Sequence, residues 1–598
     1  LADTTYWLET VSKVETFGID ETTTFYDDVD ASIFISYWME FVGFDSGGIN
    51  EASTDIVFWL EIDGKDETFG IDEETLFDDA QHASIFISSF TEFEGLYSGM
   101  ADSKVEFFVL SDILFIINGT DYISFDGVDC VDVSATAYIP TVLIGRSPSG
   151  SPNAGTTNES FNLISAGFKI SFSAFGTEVD YTLPYDNLDD TEITAVVNGV
   201  DMVENTDFTV NRTTGIVTFT TYPTVGNPDN VIITAYKASL THPEHIKNCT
   251  KATVYGGKTS ATVFMSGNPN FPDQIWHSRL YGYNYNADYF PDDGWQKVPG
   301  NVMDMSHIYD LLYIAHSNGH GYFSYTDGDD YPIFPYSDIN LVKGSDIPGS
   351  VQGVENTVVC ASTSDGVMQI VADTTVNNYM SVKNSSDLIN TGGNQRLDLG
   401  LLRQANLKDA ISYNFDGYYG LCVNDVCYVW DYKTNAWLYD TNISASCFAV
   451  IDNMLCFGSN IDGMVYQFDP ALANDDGVAI DAWIDTKEDN AGLPANIKVI
   501  NTIFATAKPM TQSSVDIMFL SRESTGEIIL NMSTSAFSYA NFGYANFTYN
   551  TSFYPITKKK RMSKRANIFK FRFRNNTLDE GMSIIALRVL FDTGSEIR

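Results

Sequence analysis

The sequence predicts an all-β protein, a β-propeller that carries an inserted β-sandwich and ends in a second, C-terminal β-sandwich. Three observations predict it. Short runs rich in Val, Ile, Phe and Tyr recur at close spacing, separated by hairpin residues such as Asn198-Gly199, Asn424-Asp425 and Asp126-Gly127. Long amphipathic helical patterns with caps are scarce. The chain has 598 residues, 44% of them hydrophobic and 14% aromatic, enough apolar material for several cores and too long for one.

Residues 1–139 are expected to form N-terminal blades. Within them the segment at 15–21 recurs at 67–73, that at 31–36 recurs at 83–88, and Trp7-Leu8-Glu9 recurs as Trp59-Leu60-Glu61. Each repeat is offset by 52 residues, close to one four-stranded blade. Strands are then predicted at 105–110, 113–117 and 122–126, punctuated by turn residues. Residues 140–245 break this rhythm. A Ser/Pro/Gly/Asn stretch at 146–155 reads as a linker, and strands follow at 168–172, 192–197, 208–211, 216–220 and 231–236, a small antiparallel sandwich.

Residues 246–480 read as the remaining blades, with units at 252–278, 303–334, 351–380, 410–439 and 447–468. The clearest has strands at 418–423 and 426–431 around Asn424-Asp425, followed by Trp437-Leu438-Tyr439. Alternating apolar residues are expected to put one face in a core. Cys422 and Cys427 fall directly opposite each other on this hairpin, within bridging range, and a reduced, buried pair is expected. Residues 481–598, with long alternating strands at 499–507, 515–520, 568–574 and 583–590, predict the C-terminal sandwich.

The chain holds 79 Asp and Glu against 33 Lys and Arg, a formal net charge of −46. Such a charge repels phosphate and anionic lipid, so groove-filling nucleic-acid contact and membrane-surface binding are not expected. It is unevenly spread. Residues 1–100 hold 23 acids and only Lys13 and Lys65, whereas residues 558–598 hold 11 bases and four acids. Opposite ends of this kind suit contact between copies, while salt adaptation is a competing account of the total charge. Seven cysteines form no disulfide framework. No signal-peptide pattern follows Leu1 and no apolar stretch reaches membrane-spanning length, so folding in a cytosolic compartment is expected.

Chemical motifs are few. Gly257-Lys258-Thr259 resembles the end of a phosphate-binding loop, but strand patterns flank it and it reads as a hairpin turn. His316 and His320 are separated by turn sequence and do not make a helical metal motif. Acidic clusters at 189–192, 327–330 and 475–477 lack the spacing of a calcium loop. No catalytic residue, cofactor-binding residue or metal ligand is assigned, and no enzymatic activity or cofactor is expected. The one concentrated feature is basic: Lys558, Lys559, Lys560, Arg561, Lys564 and Arg565 lead into a segment where Lys570, Arg572 and Arg574 alternate with Phe569, Phe571 and Phe573. These nine cations are the candidate surface for subunit contact or for lying near DNA. An acidic partner, such as the N-terminal region of a second copy, is favoured over DNA. The alternative is the solvated face of an edge strand.

Segments at 96–102, 114–122, 137–146, 207–219 and 571–576 resemble tail structural proteins of tailed bacteriophages, specifically the β-propeller nozzle or packaged-DNA stabilisation (head-to-tail) proteins of short-tailed phages. The resemblance spans about residues 96–598 and rests on soft patterns, without an invariant chemical motif. It implies a structural virion protein of the tail, assembled in the host cytoplasm. It also implies a homo-oligomer, a hexameric ring, that meets adaptor, portal-side and tail proteins and lets double-stranded DNA pass through an acidic conduit without specific binding. No membrane contact is implied. The competing reading is a tail-tip or secreted propeller that grips a cell-surface glycan through a Tyr-rich loop at 281–289.

Overall fold

The computed structural model describes residues 97–150, 152–256, 262–279, 287–326, 333–372, 380–390, 399–469, 472–522, 524–536 and 554–596, together with four short strands before residue 97. The 52-residue duplication otherwise lies outside the described residues. The chain is all-β, with many separate sheets and only single-turn helices among the described residues. Two compact units divide it. One comprises Leu1–Val254, Ala261–Pro269 and Trp276–Trp295; the other comprises Tyr255–Ser260, Asn270–Ile275 and Gln296–Arg598.

In the first unit the strands Glu106–Leu110, Ile113–Ile117, Tyr122–Phe125 and Cys130–Asp132 form an antiparallel meander in chain order. Two sheets follow around one core. The larger has the spatial order Pro152–Thr157, Thr141–Arg146, Gly167–Phe172, Val231–Tyr236, Thr194–Val197, Val200–Met202; the smaller has Asp180–Thr182, Ile216–Phe219, Phe208–Asn211. Phe168, Ile170, Phe172, Tyr181, Phe208, Val217, Val231 and Ile233 meet between them and are shut off from solvent. The turn at Asn198-Gly199 has both residues at positive φ, 52° and 79°, the twist a two-residue hairpin needs and one that glycine adopts without a Cβ clash.

Two expectations are corrected here. The stretch at 146–155 is not a linker: it turns from Thr141–Arg146 into Pro152–Thr157 within one sheet. The sheet pair is not wholly antiparallel either, because Thr141–Arg146 runs parallel to Gly167–Phe172. The connection between these two strands, residues 147–166, is long enough for a parallel crossover, which a hairpin turn could not make.

The second unit contains four consecutive meanders. Their strands run Val302–Ile308 to Tyr336–Asn340, Gln352–Val354 to Met380–Asn384, Ile411–Phe415 to Ala436–Thr441, and Ala445–Ile451 to Val465–Gln467. The first strands of successive sheets lie against one another, Val302–Ile308 by Gln352–Val354, that by Ile411–Phe415, and that by Ala445–Ile451. Hydrogen bonds tie the second sheet of this series to the third: Ser412 Oγ donates to Gly349 O at 2.8 Å, Asn414 Nδ2 to Gly353 O at 2.7 Å, and Tyr419 OH to Ser350 O at 2.8 Å.

The expectation that the hairpin at 418–431 buries one face is overturned, and the sheet before it also buries both. In Thr357–Ser362, Val358 and Cys360 pack with Tyr313, Met368 and Ile370, while Val359 and Ala361 pack on the other side with Tyr419, Leu421 and Trp430. In the next sheet Tyr419, Leu421, Tyr428 and Trp430 face back, and Cys422, Cys427 and Val429 face forward to Ile443 and Leu455. Sheets stacked on both sides bury both side-chain sets, which is why these strands read as nearly unbroken apolar runs. Pairing within one sheet also leaves no space at Gly420. It lies opposite Tyr413, whose ring covers it, and a Cβ there would stand 2.1 Å from Tyr413 Cε1.

Cys422 and Cys427 pair across the hairpin as expected, but they are joined by a disulfide, not reduced. Asn424 at φ 55° makes the tight turn that brings them together.

His316 and His320 are fully buried on neighbouring strands of one hairpin, at either side of the turn Ser317-Asn318. The Tyr313 hydroxyl lies 2.7 Å from His320 Nδ1, and Tyr336 OH lies 3.2 Å from His316 Nε2. Burial pulls both imidazoles down to about 4. A histidine whose pKa falls on folding contributes stability that is complete above its unfolded value of 6.5 and is lost as pH falls toward about 4. Chemical denaturation at stepped pH is therefore expected to show the second unit weakening through that window; a stability flat across it would contradict neutral burial. Gly420→Ala is expected to displace the Tyr413 ring and to cost roughly 1–3 kcal/mol, read as a lowered denaturation midpoint.

Candidate functional site

The C-terminal sandwich positions the nine candidate cations. One sheet has the order Ala482–Asp485, Phe569–Asn575, Ser514–Ser521, Ser524–Ser533; the other has Ile556–Ala566, Asn496–Ala507, Ile584–Glu596. Ile500, Ile503, Val515, Ile517, Phe519, Phe569, Phe571 and Phe573 form the core between them. The alternation Phe-Lys-Phe-Arg-Phe-Arg sends the three phenylalanines inward and leaves Lys570, Arg572 and Arg574 on the outer face.

That strand is interior to its sheet and not an edge, which corrects the edge-strand expectation for Lys570, Arg572 and Arg574. Its neighbour Ala482–Asp485 supplies the counter-charge. Arg572 donates from Nε to Asp485 Oδ1 at 2.6 Å and from a terminal nitrogen to Oδ2 at 3.0 Å, and Lys570 Nζ lies 3.0 Å from the same carboxylate. Arg574 makes the equivalent fork to Asp481, at 2.5 and 3.0 Å. The Arg572 guanidinium also lies 4.5 Å from the centre of the Trp483 ring. Burial pushes the Asp485 carboxyl up, and the hydrogen bonds from Arg572 and Lys570 outweigh it, leaving the group below the usual carboxylate range. These three cations are structural partners of Asp481 and Asp485, pairings that the sequence pattern did not reveal because 85 or more residues separate the partners.

The six other cations sit on Ile556–Ala566, which among the described residues pairs on one side only, as an edge strand does. Lys564 is ion-paired to Glu527, and Lys558 Nζ reaches Ser533 O at 3.5 Å, so both lean across to the facing sheet. Lys559 covers the Phe504 ring at 5.5 Å. Among the described residues, no carboxylate pairs with Lys560, Arg561 or Arg565. Phe504 is flanked in register by Lys559 and, on Ile584–Glu596, by Arg588, an exposed cation that the sequence reading had not singled out. The result is an exposed cationic edge in a strongly acidic chain.

The other motifs resolve into turns and cores. The strands Lys251–Tyr255 and Thr262–Ser266 are sheet neighbours on either side of Gly257-Lys258-Thr259, which itself lies outside the described residues; no helix follows it. Residues 281–286 of the Tyr-rich loop, and the acidic residues 327–330, also lie outside them. Tyr289 is buried and donates to Ser160 O at 3.0 Å, so it offers no ring to a glycan. Asp475-Asp476-Gly477 spans a small solvated hairpin. No helix of the described residues is long and apolar enough to cross a membrane.

No family model matches the sequence, and no curated protein matches it. Among solved structures, the chain is similar to the AfRom2 CNH domain at 12% identity and a TM-score of 0.21, covering 38% of this chain and 66% of that one. It is similar to the S. cerevisiae core factor at 8% identity and a TM-score of 0.26, covering 55% and 57%. An exo-β-1,3-galactanase from Phanerochaete chrysosporium, in complex with galactose, aligns at 7% identity and a TM-score of 0.17 over 81% and 95%. The chain thus spans less than two thirds of the first two. At scores this low, none of the three bears on its fold or activity.

Asp485→Ala strands Arg572 and Lys570 without their shared carboxylate on a partly buried face. It is expected to destabilise the chain by about 1–3 kcal/mol, whereas Lys560→Ala on the open edge is expected to leave stability within about 0.5 kcal/mol. Equal denaturation midpoints for the two variants would refute the division between paired and open cations.

Proposed function

We propose that the chain is a non-enzymatic structural protein of a tailed-bacteriophage virion, a β-propeller subunit that assembles with its own copies into a nozzle or head-to-tail ring. The four consecutive meanders of residues 302–467, stacked face to face with their first strands side by side, are read as propeller blades. The two sheet pairs are read as sandwiches attached to that propeller. The sequence resemblance supplies the virion setting.

The observation that carries the assembly reading is the open cationic edge. With 79 acids against 33 bases, carboxylates are abundant within the chain, yet Lys560, Arg561 and Arg565 are left without one among the described residues. A cationic strand of this kind is complementary to an acidic surface on a second copy, and the N-terminal hundred residues are the most acidic part of the chain. The remaining negative charge would keep passing DNA from adhering. The reading assigns no catalytic residue and no cofactor.

Negative-stain images of the full-length chain, alone and in purified particles, are expected to show closed rings located at the neck or nozzle. Reversing Lys560, Arg561 and Arg565 to Glu is expected to abolish rings while leaving the monomer folded. Monomers alone at every salt concentration, or binding to a glycan array with location at the distal tip, would overturn the proposal. Rings that survive the charge reversal would overturn the assigned contact.

A further inference from the structure

A separate cluster lies in the first unit, in the sequence Thr241-His242-Pro243-Glu244-His245. Pro243 holds φ at −60° and leads into a single helical turn, Glu244–Lys247. That turn brings the side chains of His242, Glu244 and His245 to one place. One ligand atom from each lies within 4.8 Å of the other two, and no other three His, Cys, Asp or Glu side chains converge in this way among the described residues. His242 Nδ1 stands 3.2 Å from Glu244 Oε1, and the two imidazoles stack with their centres 5.1 Å apart.

The support beneath the cluster is built and buried. Asn268, fully buried, donates from Nδ2 to Glu244 O at 2.9 Å and to His245 O at 3.1 Å. Cys249 Sγ donates to the same His245 carbonyl at 3.2 Å, and the His245 ring packs 5.8 Å from that of buried Trp276. Lys247, the cation on the same turn, is paired with Asp132 at 2.7 Å. The His242 and Glu244 side chains are half exposed and free to adjust.

We propose that His242, Glu244 and His245 bind a divalent transition-metal cation of the zinc class, with at least one further coordination position open to water. Two imidazoles and one carboxylate suit Zn²⁺, Co²⁺ or Ni²⁺, whereas Ca²⁺ and Mg²⁺ require mainly oxygen. Tetrahedral zinc with bonds of about 2.0–2.1 Å places its ligand atoms roughly 3.3–3.5 Å apart. Closing the observed spread to that distance requires rotation of the half-exposed His242 and Glu244 side chains about a His245 whose main chain is held from beneath.

The full-length chain, stripped with a chelator, would be titrated with Zn²⁺ by calorimetry and its bound metal counted by mass spectrometry. One equivalent is expected, undisturbed by excess Ca²⁺ or Mg²⁺. Co²⁺ should give d–d bands without sulfur-to-cobalt charge transfer, which separates this site from the free cysteines. His245→Ala and the exposed His242→Ala are each expected to weaken Zn²⁺ binding by about tenfold or more, the second with an unchanged melting curve of the metal-free protein. Absence of a stoichiometric equivalent, unchanged Zn²⁺ affinity in His242→Ala, or a sulfur-to-cobalt band would overturn the proposal.

Discussion

The stack of meanders in residues 302–467 depends on one constraint: a sheet whose strands are apolar on both faces must be covered on both faces. Val358 and Cys360 cannot be buried by the neighbour that buries Val359 and Ala361, because successive side chains leave a strand in opposite directions. Only sheets on either side satisfy both sets. The order of meanders along the chain, the packing of each first strand against the next, and the hydrogen bonds from Ser412, Asn414 and Tyr419 to the preceding sheet all follow from that demand. Within this stack even His316 and His320 are fully buried.

The C-terminal sandwich satisfies a different demand. Each sheet there buries one face, so its strands alternate, and the cations of Phe569–Asn575 emerge together on the outer side. Like charges so close on one strand repel, and the adjacent strand, with Asp485 and the preceding Asp481, offsets them. Among the described residues the edge strand Ile556–Ala566 has no such neighbour on its open side. Two basic segments almost contiguous in sequence therefore differ in kind: one is neutralised inside the chain, and the other, apart from Lys564 on Glu527, leaves Lys560, Arg561 and Arg565 without a carboxylate among the described residues.

Much of the strand pattern was legible in the sequence. Hairpins at Asn198-Gly199 and Asn424-Asp425 could be placed because the residues that accept left-handed backbone are few, and apolar runs between turns have few alternatives to a strand. The candidate cations were legible as a group, since charge runs are local features. Their division was not, because the partners Asp481 and Asp485 lie far away along the chain. The parallel pairing of Thr141–Arg146 with Gly167–Phe172, and the strand hidden in a Ser/Pro/Gly-rich stretch, escaped for the same reason: pairing partners are chosen by the whole sheet. The cluster at His242, Glu244 and His245 had a local signal in its His-Pro-Glu-His spacing, but spacing alone could not show the buried Asn268 and Trp276 that hold it.

By itself the sequence determined the secondary-structure class, the turns, the excess of acid and the position of the basic run, all consequences of residue type and short-range periodicity. Tertiary structure decided which faces are buried, that Cys422 and Cys427 are joined, which cations are neutralised and which remain open. Those outcomes depend on distances between residues remote in the chain. Local conformation sets the direction in which a side chain leaves its strand, but only the completed packing determines what it meets there.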